Sequence, residues 1–125
     1  MSTFVLFLHV LSASVWVGGQ VVLAGVVPTV RRFGDDAPRQ VAQAFNRIAW
    51  PAFGLAVVTG IGNVLLVGPE DLGHPTVEIK LLLVVASGIG ALVHQTARGN
   101  RARLAAGGAV ALLGGIGAMY AGLLL

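Results

Sequence analysis

Four apolar stretches, residues 3–27, 48–68, 77–97 and 104–125, fill most of this sequence. Each reaches the roughly 20 residues that a helix needs to cross a hydrocarbon core about 30 Å thick. The rest of the composition agrees: 56% of the 125 residues are hydrophobic and 10% are charged. Ordinary soluble domains carry about 25% charged residues, too many for a lipid-facing surface and enough for a wet one. The sequence therefore predicts an all-α integral membrane protein, a single domain of four transmembrane helices packed as a four-helix bundle. The first stretch has no basic segment before it and no A-x-A-type cleavage site before its polar loop, so it is expected to stay in the mature chain.

The formal net charge of +3 does not point to nucleic acid, because the positive charges cluster in two loops. One holds Arg31, Arg32, Arg39 and Arg47 against Asp35 and Asp36, and the other, "RGNRAR", holds Arg98, Arg101 and Arg103 with no acid. The loop between them, "PEDLGHPT", holds Glu70 and Asp71 and no lysine or arginine. By the positive-inside rule the two arginine loops face the cytoplasm, and both termini and the acidic loop face outward, an N-out/C-out topology. The expected location is a cell membrane, of the bacterial cytoplasmic kind, and the expected partner is the lipid bilayer. With no cysteine, disulfides and thiolate ligands are both excluded.

The longest polar segment, "RRFGDDAPRQVAQAFNR", reads either as a solvated linker or as a short interfacial helix. In the helical reading Asp36 caps it, Pro38 sits in its first turn, and Val41, Ala44, Phe45 and Ile48 share one side. Pro51 then falls in the first turns of the second span, where few backbone bonds are lost. A faint repeat, "TGIGN", "SGIGA" and "GGIGA", lies near the middle of spans two, three and four. Its glycines suit close helix packing in lipid, or the clearing of space for a flat cofactor.

The polar residues inside the spans fall into stripes. His9, Ser12, Trp16 and Gln20 stand at i, i+3, i+7 and i+11, on one face of span one. Lys80, Ser87 and His94 stand at i, i+7 and i+14 on span three. Span two offers Thr59 and Asn63, and span four offers Tyr120 beside Met119. An unpaired polar group in hydrocarbon costs several kcal/mol, so these stripes are expected to look into the protein. At about 1.5 Å per residue, His9 and Lys80 each fall about 10 Å to the outer side of the midplane, with Asn63 and Tyr120 in the same half. His94 falls about 10 Å to the inner side, so one site cannot hold both histidines. Ionisable residues within a membrane mark a functional site by default, and His9, Trp16, Asn63, Lys80 and Tyr120 form the expected cluster. The plainer alternatives are that Lys80 snorkels or pairs with Glu78 or Asp71, and that His9 only ties helices together. His94 reads as an interface residue beside a basic loop, and His74 as a solvated one.

"LHVLSASVWVGG" resembles the opening helix of the copper-resistance D (CopD) family of membrane proteins, with its Leu-His, its tryptophan and its paired small residues. "FNRIAWPAFGLAVVTGIGNVLL" and "VEIKLLLVVASGIGALVH" are similar to that family's next two helices, with a Thr-Gly in the middle of one and a Lys-Leu opening the other. The same elements are similar to those of HemJ-type protoporphyrinogen oxidases, which are thought to hold haem b through a histidine and a lysine. Residue by residue, both resemblances land on His9, Trp16 and Lys80. They imply haem b or copper bound at His9, with Lys80 as second ligand or charge partner, and a role in copper or haem handling or in electron transfer. Copper(I) favours Met and Cys, and the chain has two methionines and no cysteine. The HemJ-type proteins carry a further histidine where this chain has "VVPTVRRF". Two other classes stand beside this expectation: an enzyme oxidising a porphyrin or quinone, and a cofactor-free structural subunit of a larger membrane complex. A homo-oligomer is compatible with all three.

Overall fold

The computed structural model describes residues 2–67 and 73–125. Their regular structure is helical: α1 (Thr3–Val30), a 3-10 turn at Arg31–Phe33, α2 (Ala37–Val67), α3 (Pro75–Gln95) and α4 (Arg101–Leu123). All four helices are long and apolar enough to cross a membrane. Their large side chains point outward: Phe4, Phe7, Val22, Val58, Leu65, Leu82, Leu113 and Leu123 are all more than half exposed. In water that surface would aggregate, and in lipid it is the expected outer face. The residues fully buried are small, with Ala49, Ala111 and Ser87 at 0%, 2% and 1% exposure. Helices in a bilayer associate through such residues because hydrocarbon rewards close approach rather than apolar bulk.

Local signals set the helix ends. Gly34, at φ 122°, turns the chain out of the 3-10 turn. The Asp36 carbonyl then accepts from the Gln40 backbone N–H, and its carboxylate takes the Gln40 side chain at 2.9 Å. From there α2 runs unbroken to Val67. The expected interfacial helix and the second span are thus one helix, and Pro51 lies near its middle rather than in its first turns. The correction has a plain cause: proline removes one intrahelical bond, while Asp36 and Gln40 start the helix well ahead of the apolar run. His74, expected to be merely solvated, caps α3 by accepting from the Thr76 N–H at 3.2 Å, ahead of Pro75 in the first turn. Asn100 caps α4 by accepting from the Arg103 N–H at 3.1 Å, after a turn in which Arg98 and Gly99 adopt φ 45° and 84°. Glu70 and Asp71 lie outside the described residues.

The chain divides into two compact units, Met1–Asn63 and Val64–Leu125. In the first, contacts from α1 to α2 fall in reverse order: His9 meets Ala56 and Thr59, Trp16 meets Trp50 and Phe53, and Gly19 lies against Phe45. The two helices are antiparallel. In the second, α3 and α4 are antiparallel and in backbone contact. A Cβ on Gly90 would stand 2.6 Å from the Ala111 nitrogen and 2.8 Å from the Gly107 carbonyl oxygen, and one on Gly107 would stand 2.7 Å from the Gly90 oxygen. Further along, a Cβ on Gly114 would lie 3.0 Å from the Leu83 carbonyl oxygen. Only glycine permits this approach, so in α3 and α4 the glycine repeats serve helix packing.

Candidate functional site

The polar stripe of α1 resolves into residues that satisfy themselves and one that reaches across. Ser12 donates to the Leu8 carbonyl at 2.7 Å, and Gln20 donates to the Trp16 carbonyl at 3.1 Å, both within their own helix. Such back-bonding is how hydroxyls and amides dispose of their protons in lipid. His9 instead places Nδ1 at 2.9 Å from the Ala56 carbonyl oxygen and 3.0 Å from Thr59 Oγ on α2.

That geometry fixes the imidazole. A carbonyl oxygen has no proton, so Nδ1 carries one and donates it. Thr59 Oγ lies 2.7 Å from the Leu55 carbonyl and gives its own proton there, so towards the ring it accepts. In the neutral imidazole the lone pair therefore sits on Nε2. Metal-ligating histidines are held in the same way, one ring nitrogen donating to a carbonyl or carboxylate while the other faces the metal.

Gly60 makes the contact possible. In a helix each Cβ leans towards the N-terminus, so the side chain at i+4 overhangs the carbonyl of residue i. Gly60 is four residues past Ala56, and a Cβ there would stand 3.1 Å from His9 Cε1. Its absence opens a seat for the ring. Asn63, one turn beyond Thr59, is 9% exposed, and its Oδ1 has no hydrogen-bond partner among the described residues. Buried polar atoms without a partner are rare because each forfeits its full solvation. Trp16, 5% exposed, packs its ring 4.5 Å from Phe53 and 5.1 Å from Trp50. It anchors an aromatic cluster two turns along α1 from the histidine.

Lys80 and Tyr120 belong to the second unit. Lys80 is half-buried and extends along α4, its Nζ 3.0 Å from where a Cβ on Gly122 would stand. It forms no ion pair with Glu78, and two positions apart on a helix the side chains diverge. Asp71, the other suggested partner, lies outside the described residues. Tyr120 is 64% exposed, on the side of α4 away from the buried Ala118 and Ala121. The stripe of α3 faces α4 along its length: Ser87 donates to the Ala111 carbonyl at 2.6 Å, and His94 Nδ1 bonds the Leu104 carbonyl at 2.7 Å.

The donor set discriminates between the two groups implied by the resemblance. Among the described residues no three His, Cys, Asp or Glu side chains converge as metal ligands do. His9 meets the Ala56 carbonyl, the Thr59 hydroxyl and Gly60, and the polar stripes of α1 and α2 carry no thiolate or thioether. That set does not fit Cu(I), which needs several soft ligands. A single imidazole can serve haem iron, whose in-plane positions the porphyrin itself fills. Comparison with protein-family models, with curated proteins and with solved structures finds no match to this chain.

Proposed function

We propose that the chain is a multi-pass membrane protein that holds haem b through Nε2 of His9, in the outer half of the bilayer, and serves haem handling or electron transfer. The observation that carries this reading is the Nδ1 bond to the Ala56 carbonyl, which puts the proton of the neutral ring on Nδ1 and its lone pair on Nε2. Bound haem iron would supply a one-electron redox couple. The protein's part is to orient the ring through Ala56 and Thr59, to seat it against Gly60, and to offer the buried Asn63 carboxamide oxygen to a hydrogen-bond donor nearby. The apolar faces of all four helices support a lipid location, and the arginine loops support an N-out/C-out topology.

The reading is tested by adding hemin to detergent-purified protein and recording the visible spectrum, with iron and copper measured by elemental analysis. A Soret band with stoichiometric iron is the expected result. Copper without iron would move the protein to copper handling. Neither metal would favour the structural subunit, in which the same His9 bond only fixes helix register. An enzyme that oxidises a porphyrin or quinol would also show turnover.

Topology has its own test. Single cysteines at Gly73, where nothing stands within 4 Å of an added Cβ, and at the exposed Ala102 are expected to label oppositely in intact cells. An impermeant maleimide should reach the first and miss the second. Labelling of the Ala102→Cys protein from outside would invert the topology.

The resemblance also lands on Lys80, which is proposed as a ligand or charge partner of the haem. Lysine ligates iron only as the neutral amine, whereas as an ammonium it acts through charge. Lys80→Met is expected to shift the Soret band or weaken hemin binding at least about tenfold, the equivalent of roughly 1.4 kcal/mol. Lys80→Arg keeps the charge and cannot ligate, so it separates the two roles. Hemin affinity and spectrum untouched by both substitutions would show that Lys80 merely reaches for the interface.

A further inference from the structure

The way His9 is held occurs a second time. His94, in the last turn of α3, bonds its Nδ1 to the Leu104 carbonyl of the neighbouring helix at 2.7 Å. The residue four places beyond Leu104 is Gly108, and a Cβ there would stand 3.1 Å from His94 Nδ1. In the first unit the carbonyl is Ala56, at 2.9 Å from His9 Nδ1, and the glycine four places beyond is Gly60, where a Cβ would stand 3.1 Å from the ring's Cε1 and 3.6 Å from its Nδ1. In both cases the histidine lies on the first helix of an antiparallel pair and its seat lies on the second. In both, a carbonyl acceptor compels Nδ1 to carry the proton, so the neutral ring keeps its lone pair on Nε2.

From this repetition we propose that His94 is a second haem-iron ligand, which rests on the reading of His9 as the first. The ring is exposed, and its Nε2 meets no protein partner among the described residues. A residue needed only to tie α4 to α3 would be redundant here, because Gly90 and Gly107 already bring the two backbones together and Ser87 already bonds across. The surroundings suit an amphiphilic dianion. Arg98, Arg101 and Arg103 are exposed and form no ion pair among the described residues. Arg101 precedes Leu104 by three positions and so shares the face of α4 that holds the ring. A haem carries two carboxylates on one edge of an apolar disc, and guanidinium groups are the side chains that pair best with carboxylates.

The test separates a ligand from a tie. The substitution His94→Asn keeps an N–H where Nδ1 stood, able to donate still to the Leu104 carbonyl, while nothing replaces Nε2. Wild type, His94→Asn, His9→Asn and the double variant are titrated with hemin in detergent. Folding is checked by circular dichroism and haem per chain by pyridine haemochrome. The expected content is about two haems in wild type, about one in each single variant and none in the double variant. Should His94→Asn bind as much hemin as wild type, the second site is refuted and the His9 reading stands. Should His9→Asn alone bind as much as wild type, the His9 reading fails, and loss in His94→Asn would leave His94 as the sole ligand. If His94→Asn proves unfolded, His94→Gln is used; a loss of haem recovered by added imidazole would support ligation, and full binding without imidazole would refute it.

Discussion

His9→Asn should abolish the haem that depends on His9 and leave the helices of the first unit packed as before. Asparagine places an amide N–H close to where Nδ1 stands, so the bond to the Ala56 carbonyl, 2.9 Å in the native protein, has a replacement. Nothing replaces Nε2. If His9 is only interhelical glue, His9→Asn costs little, because a polar bond between membrane helices contributes about 0.6 kcal/mol on average. If it is an axial ligand, hemin affinity should fall by at least about a hundredfold, near 2.7 kcal/mol. The glue reading predicts no loss of hemin affinity, so one titration separates the two. His9→Leu serves as the comparison, because it removes the cross-helix bond as well. It leaves the Ala56 carbonyl bonded within its helix and adds bulk against Gly60. A Soret band of wild-type position and intensity in the Asn variant would remove His9 from the site. His94→Asn should leave the His9-dependent part of the spectrum in place, since each ring is held within its own helix pair.

The number of long apolar helices and the polar face of α3 were readable in the sequence, and the reason is periodicity. Lys80, Ser87 and His94 recur at seven-residue intervals, and all three lie along α4, against Gly122, Ala111 and Leu104. In lipid the cost of exposing such groups leaves few other arrangements. The burial of Asn63 and Thr59 followed from the same rule. Hidden from sequence were the features set by a partner helix. "TGIGN" shows that small residues meet at that level, but the seat for the imidazole depends on the spacing from Gly60 back to Ala56, on a helix remote in sequence from His9. The aromatic partners of Trp16, Trp50 and Phe53, were hidden likewise, since either could have faced lipid. The continuity of α2 was obscured by its polar start: Arg39, Gln40 and Arg47 give that region the composition of a loop. Asp36 and Gln40 were the available signal, four residues apart, and their side-chain bond begins the helix.

Gly90→Ala should loosen the second unit more than the loss of any hydrogen bond in it. The added methyl group would stand 2.6 Å from the Ala111 nitrogen and 2.8 Å from the Gly107 oxygen, and both are backbone atoms that cannot swing aside. The helices must therefore separate, which forfeits the close contact that holds them together in lipid. Overpacking of this kind costs about 1–3 kcal/mol. Ser87→Ala, which deletes the 2.6 Å bond to the Ala111 carbonyl, should cost closer to about 0.6 kcal/mol, the average for a polar bond between membrane helices. Gly62→Ala supplies the control, since nothing lies within 4 Å of the new Cβ. Alanine is the better helix former by up to about 1 kcal/mol, so that variant should unfold at or above the wild-type temperature. Thermal unfolding in detergent, followed by circular dichroism, gives the order Gly90→Ala, Ser87→Ala, Gly62→Ala from least to most stable. Equal midpoints for Gly90→Ala and Gly62→Ala would mean that α3 and α4 can move apart without cost. Backbone contact would then not be what holds His94 over Gly108.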